Sequence, residues 1–189
     1  MVQLTLPPDF TAASMAELMA FAHADKLPPV EAWHPAHCGV IDIRIAADGR
    51  WYHEGSEIRR PAMVRLFSRV LRREPDGSHV LVTPAEKMTI AVDDAPFVAV
   101  EMREEAAHGL TRLVFRLNSE DIIVAGPAHP LRLRDGPAGR LPYLYVRGSA
   151  ERALEARLSR PVYYQLAALA DEYGRVNSDG AAFTIGEVT

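Results

Sequence analysis

The chain has 189 residues, 48% of them hydrophobic, which excludes a disordered chain and leaves room for one large core or two small ones. A formal net charge of -4 gives no general field for holding nucleic acid or an anionic membrane, so any recognition of phosphate must be local. The single cysteine, Cys38, excludes an internal disulfide framework and fits a reducing cytoplasm; no apolar run approaches the roughly 20 residues needed to cross a bilayer, and the start from Met1 to Pro8 lacks the regions of a signal peptide.

Ser14 and Glu17 form a capping box before an apolar stripe at Met15, Leu18, Met19 and Ala22, so a short helix is expected there, ended by Pro28 and Pro29. An extended connector through Trp33, Pro35 and Gly39 follows. In Val40–Ile45 the β-branched residues Ile41, Ile43 and Ile45 alternate with Asp42 and Arg44, and Asp48-Gly49 turns the chain into Arg50–Glu54: a β-hairpin. Pro61 opens an amphipathic helix with Met63, Phe67, Val70 and Leu71 inward and Arg65, Ser68, Arg69 and Arg72 outward. After Asp76-Gly77, the run Val80–Val82 reads as a returning strand, which completes a β-β-α-β unit.

From Lys87 to about Val146 the pattern is a meander of short strands at 88–92, 97–102, 111–117, 121–125, 131–134 and 142–146. Arg112, Val114 and Arg116 alternate with Leu113, Phe115 and Leu117, and Arg132 and Arg134 with Leu131 and Leu133, as in antiparallel strands wet on one face. A second helix starts at Pro161 with the stripe Val162, Leu166, Leu169, Ala170 and Tyr173, and Asp179-Gly180 leads to a last strand at 182–185.

The segment Ile58-Arg59-Arg60-Pro61 with Leu66 echoes Leu158-Ser159-Arg160-Pro161 with Leu166, and each is followed by an Asp-Gly turn and a strand. This order of elements predicts an α+β protein of two tandem related halves, 1–86 and 87–189, whose proline-started helices pack equivalently. The surface between such halves is then the favoured place for a pocket.

Cys38-Gly39, Ile41–Ile45, Asp48–Ser56, Arg60, Leu66-Phe67-Ser68, Thr83-Pro84, Glu86-Lys87 and Asp93–Phe97, in this order, resemble the bacterial domain-of-unknown-function family 1285. The likeness runs from about Trp33 to Tyr173. It implies a duplicated core, a C-terminal half superficially like a pleckstrin-homology fold with a meander and closing helix, and a nucleotide-type ligand between the halves in a signalling role. The chain departs from the family pattern at Glu57, where a proline is expected, and at Leu117, where a threonine is expected.

A two-residue turn at Asp48-Gly49 sets Trp51 near Ala46 and His53 near Arg44, which lines up Asp42, Arg44, Trp51 and His53 on one face. Such a face can stack a base and fork a phosphate, although a wet strand face with an Asp42–Arg44 ion pair and the tryptophan packed under the other half is the commoner arrangement on antiparallel sheets. Arg60 and Arg160 each precede a proline-started helix, where free N–H groups already favour anions. Arg65, Arg69 and Arg72 read as a solvated helix stripe. His34, His37 and Cys38 have no completing motif, so no metal is assigned. Lys87 lies with Glu86, Asp93 and Asp94 near the junction, as a salt-bridge network or the makings of a metal-dependent phosphoester hydrolase.

The expectation is therefore a cytoplasmic, non-enzymatic ligand-binding or signal-transduction module without cofactor or catalytic residues. Its ligand is a small phosphate-bearing molecule of the nucleotide type, held between the halves by Asp42, Arg44, Trp51, His53, Arg60, Lys87 and Arg160. The alternatives are the hydrolase and a protein-interaction adaptor that engages a signalling protein without a small ligand.

Overall fold

Ile43 and Ile45 are buried while Asp42 and Arg44 beside them are exposed, the period-two pattern of a strand with one dry face. In the computed structural model, which describes residues 27–107, 109–137 and 139–186, that strand is β1 (His37–Ile45). The helix expected at 14–22 lies outside the described residues. The described chain forms two compact units and is predominantly β, with two helices, rather than the expected balance of α and β.

The first unit takes 27–46, 50–92 and the short segment Ala150–Arg152 of the described chain. Its strands are β1, β2 (Trp51–His53), β3 (Ser56–Glu57), β4 (Leu71–Arg73), β5 (His79–Val82) and β6 (Glu86–Val92), in the order β3-β2-β1-β6-β5-β4. Two three-stranded meanders thus meet at one parallel seam, β1 with β6. Because β6 lies at the centre of this sheet, the unit runs to Val92, beyond the expected boundary at 86. Helix α1 (Pro61–Val70) opens on a proline whose missing N–H would have been unpaired anyway, and it packs on β5. It stops one residue earlier than its stripe suggests, since Leu71 is extended.

Ser68, Arg69 and Arg72, expected to face outward, are all buried; the early stop accounts for Arg72, which leaves the helix for a strand, while Ser68 and Arg69 are buried within the helix. Arg72 stands on β4 and donates to the carbonyls of Val30 (2.7 Å) and Trp33 (2.8 Å) and to Glu74 Oε1 (2.6 Å). It fastens the connector to the sheet edge over the apolar cluster of Val30, Val80, Val82 and Trp33. Burial raises the proton affinity of Glu74, but the Arg72 guanidinium and the Lys87 ammonium outweigh it and hold the carboxyl below its ordinary range.

The second unit takes 47–49, 93–149 and 153–186 of the described chain. Its six-stranded sheet contains β7 (Phe97–Ala107), β8 (Leu110–Leu117), β9 (Ile122–Val124), β10 (Leu131–Gly136), β11 (Gly139–Arg147) and β12 (Leu154–Leu158), in the order β10-β11-β12-β7-β8-β9. Again two meanders meet at one parallel seam, here β12 with β7. Register places Leu131, Leu144, Ala156 and Phe97 in one row across four strands, each at most 4% exposed. Each fully buried side chain of Leu or Phe size contributes about 1.5–3 kcal/mol. Leu117 is fully buried in the same core, which accounts for an apolar residue at that departure from the family pattern.

Helix α2 (Arg160–Ala168) packs on β7 with Val162 and Leu166 buried, but it ends before Leu169 and Tyr173, which are exposed. The described residues finish with a two-stranded sheet, β13 (Arg175–Ser178) and β14 (Ala181–Thr184), that packs on β8 and β10. Buried Ser178 locks this hairpin by accepting from Leu113 N (2.8 Å) and donating to Ala125 O (2.6 Å).

The expected equivalence of the two helices fails. α1 lies between the two meanders of its sheet and packs on β5, whereas α2 follows both meanders of its sheet and packs on the seam strand β7. What repeats is the order of strands, not the place of the helix. No helix among the described residues is long and apolar enough to cross a membrane.

Candidate functional site

The hairpin turn is one residue longer than Asp48-Gly49 alone suggests. Ala46 N donates to Arg50 O (2.9 Å), and Ala47-Asp48-Gly49 forms the loop with Gly49 at φ 85°, a conformation that glycine adopts without strain. Ile45 therefore faces Trp51, Arg44 faces Tyr52 and Ile43 faces His53. One residue of slip turns every side chain of β2 to the other face. Trp51, only 1% exposed, lies on the dry side with its ring stacked 6.0 Å from Phe67, so it is no plate beside Arg44. The expected constellation of Asp42, Arg44, Trp51 and His53 is dissolved.

The remaining candidates are scattered. Asp42 and Arg44 are exposed on β1, His53 is exposed at the end of β2, and Arg60 is exposed as the N-cap of α1. Lys87 on β6 pairs with Glu74 at 3.4 Å. Arg160 opens α2 in the second unit.

A different constellation is built in the second unit. One register step from the apolar row, Arg132, Tyr143, Arg157 and Val98 form the next row across β10, β11, β12 and β7. Alternation puts Arg134 and Glu155 on the same face. Asp94, in the connector before β7, sits against this face with its side chain 3% exposed. The Tyr143 hydroxyl donates at 2.8 and 3.0 Å to its two oxygens, and Arg134 Nη2 donates to Oδ1 at 2.9 Å. The Arg134 guanidinium also covers the Tyr143 ring at 3.8 Å from its centroid, a cation–π contact. Gly136 leaves room for this packing, because a Cβ there would run into the Tyr143 hydroxyl.

Of the three arginines on this face Arg132 is exposed, and the other two are unevenly satisfied. Arg134 Nε stands 3.3 Å from Glu155 Oε2 and Arg157 Nε 3.6 Å from Asp94 Oδ2, within ion-pair range, yet neither buried Nε closes a hydrogen bond. Buried donors are rarely left unmade in folded proteins, so such groups mark strain or a missing partner. Burial, then the bond to Asp94, pushes the Tyr143 hydroxyl up to about 12 against the pull of Arg134 and Arg157. At neutral pH it is a fixed donor. The face can therefore present guanidinium forks to an oxyanion above a base that is already tied down.

An open groove of about 460 Å³ beside β9, with Val114, Ile122 and Gln165 in its lining, is less suited to this chemistry. Its Arg116 is occupied by Glu101 at 2.8 Å and Glu120 at 3.0 Å.

In sequence Asp94 stands out only as one of several junction carboxylates and Arg134 only as part of an alternation, and Tyr143, Glu155 and Arg157 do not stand out at all. The signal for β12 was present in Leu154, Ala156 and Leu158, which alternate with Glu155 and Arg157. Nothing in sequence ties that strand to Asp94.

Residues 28–95 match the family model described as the N-terminal domain of a domain of unknown function, DUF1285, and residues 96–185 match the C-terminal domain of the same family. The crystal structure of a DUF1285 family protein from Silicibacter pomeroyi is similar at a TM-score of 0.79 and 38% identity, covering 94% of this chain and 97% of that one. One from Shewanella baltica is similar at a TM-score of 0.51 and 26% identity, covering 67% of this chain and 90% of that one. No curated protein matches. With both domain models matched in tandem along most of its length, the chain belongs to the DUF1285 family.

Proposed function

We propose that this chain is a non-enzymatic binding module for signal transduction, and that its ligand is a small phosphate-bearing molecule of the nucleotide type. The observation that carries the reading is Arg157, a largely buried guanidinium whose Nε makes no hydrogen bond, on the same face as Arg134. A phosphate offers the geometry that completes two such forks, and partial burial strengthens the attraction relative to water. Binding is favoured over catalysis because Asp94 is occupied by Tyr143 and Arg134, and Tyr143 is held protonated far above neutral pH. The likeness of the second unit to a pleckstrin-homology module belongs to this reading, supported by a meander and a following helix. So does a place in a reducing cytoplasm, supported by the exposed, unbridged Cys38.

The test is a thermal-shift series with nucleotides and inorganic phosphate, each with and without magnesium or manganese. A ligand that binds only the folded state at a hundredfold excess over its Kd adds about 2.7 kcal/mol, so the midpoint should rise with nucleotide alone. Arg157→Gln should abolish the rise, while Arg44→Ala should leave it intact. No rise, or a rise that survives Arg157→Gln, refutes the site. Metal-dependent turnover of a phosphoester would instead favour the hydrolase.

A further inference from the structure

We infer that Glu155 is a built-in competitor at this site, a carboxylate that holds the place of a ligand oxygen on Arg134 and sets the threshold for anion binding. The inference rests on the proposed binding reading and adds a specificity-determining residue to it.

The two carboxylates of the face differ in how they are held. Asp94 is 3% exposed and receives well-formed hydrogen bonds from Tyr143 at 2.8 Å and Arg134 at 2.9 Å. Removing it would strand the charges built around it. Glu155 is 18% exposed, and its Oε2 reaches Arg134 Nε at 3.3 Å without the alignment of a hydrogen bond. Its partner Arg134 is 37% exposed as a side chain although the Nε that faces Glu155 is buried, so this second pair is closer to solvent than the Asp94 contacts and is partly screened.

Arg157 is two residues from Glu155 on the same side of β12. An anion that engages Arg157 and Arg134 together therefore meets the Glu155 charge and must take the Arg134 Nε from it. The four groups in mutual ion-pair range, Arg134, Arg157, Asp94 and Glu155, sum to zero, and Arg132 on the same face is exposed to solvent, so a singly charged ligand gains little where the two inner guanidiniums meet the carboxylates. A doubly charged phosphate gains more from the two guanidiniums than a monoanion does, and displacing Glu155 leaves a net positive site for it. The fixed carboxylate shapes the site, and the displaceable one selects for charge.

The experiment is calorimetric titration of the full chain with inorganic phosphate and, separately, with a nucleoside monophosphate. Glu155→Gln keeps the shape and removes the charge, and should tighten both affinities by about fivefold, the scale of a partly exposed ion pair. Glu155→Lys should tighten them further, whereas a purely structural Glu155 predicts weaker binding for both variants. Unchanged or weaker binding by the two variants, with wild type still binding through Arg157, overturns the competitor and leaves the binding reading standing. Absence of binding in wild type and both variants overturns both.

Discussion

Arg72 in the first unit and Arg157 in the second both carry a guanidinium out of bulk water on a β-strand, and they differ in what receives it. Arg72 is 2% exposed and fully engaged, with two backbone carbonyls and a carboxylate as acceptors. Arg157 is 21% exposed and has one distant carboxylate for company. An arginine that spends its donors inside the fold is a strut; one that keeps them unspent beside a partly open face is suited to a ligand.

The largest effect that sharpens this contrast is expected at the strut. Arg72→Ala leaves the Trp33 carbonyl without its side-chain donor, the Val30 carbonyl with the Trp33 N–H alone and Glu74 with Lys87 alone, and should destabilise the first unit by about 3 kcal/mol. Urea unfolding followed by tryptophan fluorescence measures it cleanly, because both tryptophans, Trp33 and Trp51, belong to that unit. Next is Gly136→Ala, which should cost the second unit about 1–3 kcal/mol by overpacking against Tyr143. In a Tyr143→Phe background the cost should shrink, as a double-mutant cycle followed by thermal unfolding can show.

Arg157→Gln should change stability by less than about 1 kcal/mol, since little is lost with a group that closes so few bonds. A loss as large as that of Arg72→Ala would break the comparison and make Arg157 a second strut.

The smallest effects lie at opposite ends of the pH scale. The folded-state affinity of Glu74 for protons is lowered, so its stabilisation is present above the ordinary carboxylate range and lost as pH falls through its depressed value. Tyr143 is raised from 10.0 to about 12, so its stabilisation is present below pH 10.0 and lost as pH rises through about 12. Thermal midpoints across pH should show the acid loss reduced in Glu74→Gln and the alkaline loss reduced in Tyr143→Phe.

The hairpin, both proline-started helices and most of the meander were legible in the sequence, because alternation and turn residues announce them locally. The register was not. A three-residue loop with glycine in the left-handed region and a two-residue loop share the same Asp48-Gly49 pair, and only the pairing of Ala46 with Arg50 separates them. The end of α1 was hidden for a related reason: no glycine or proline marks Val70-Leu71, so Arg72 read as a helix residue when it is a strand residue. The site was least legible of all, since Asp94 meets Arg134, Tyr143 and Arg157 through the pairing of strands far apart in the chain.

The parallel seam at the centre of each sheet bears on how this chain folds. Each meander is built from neighbours in sequence and can form early, but β1 must find β6, and β7 must find β12, across the whole length of a sheet. Closing those long loops costs entropy before any seam bond returns it, so seam closure should be the slow, rate-setting event in each unit. Until β12 docks, the face that carries Arg157 does not exist, and the binding surface can appear only at the last step of its own domain's assembly.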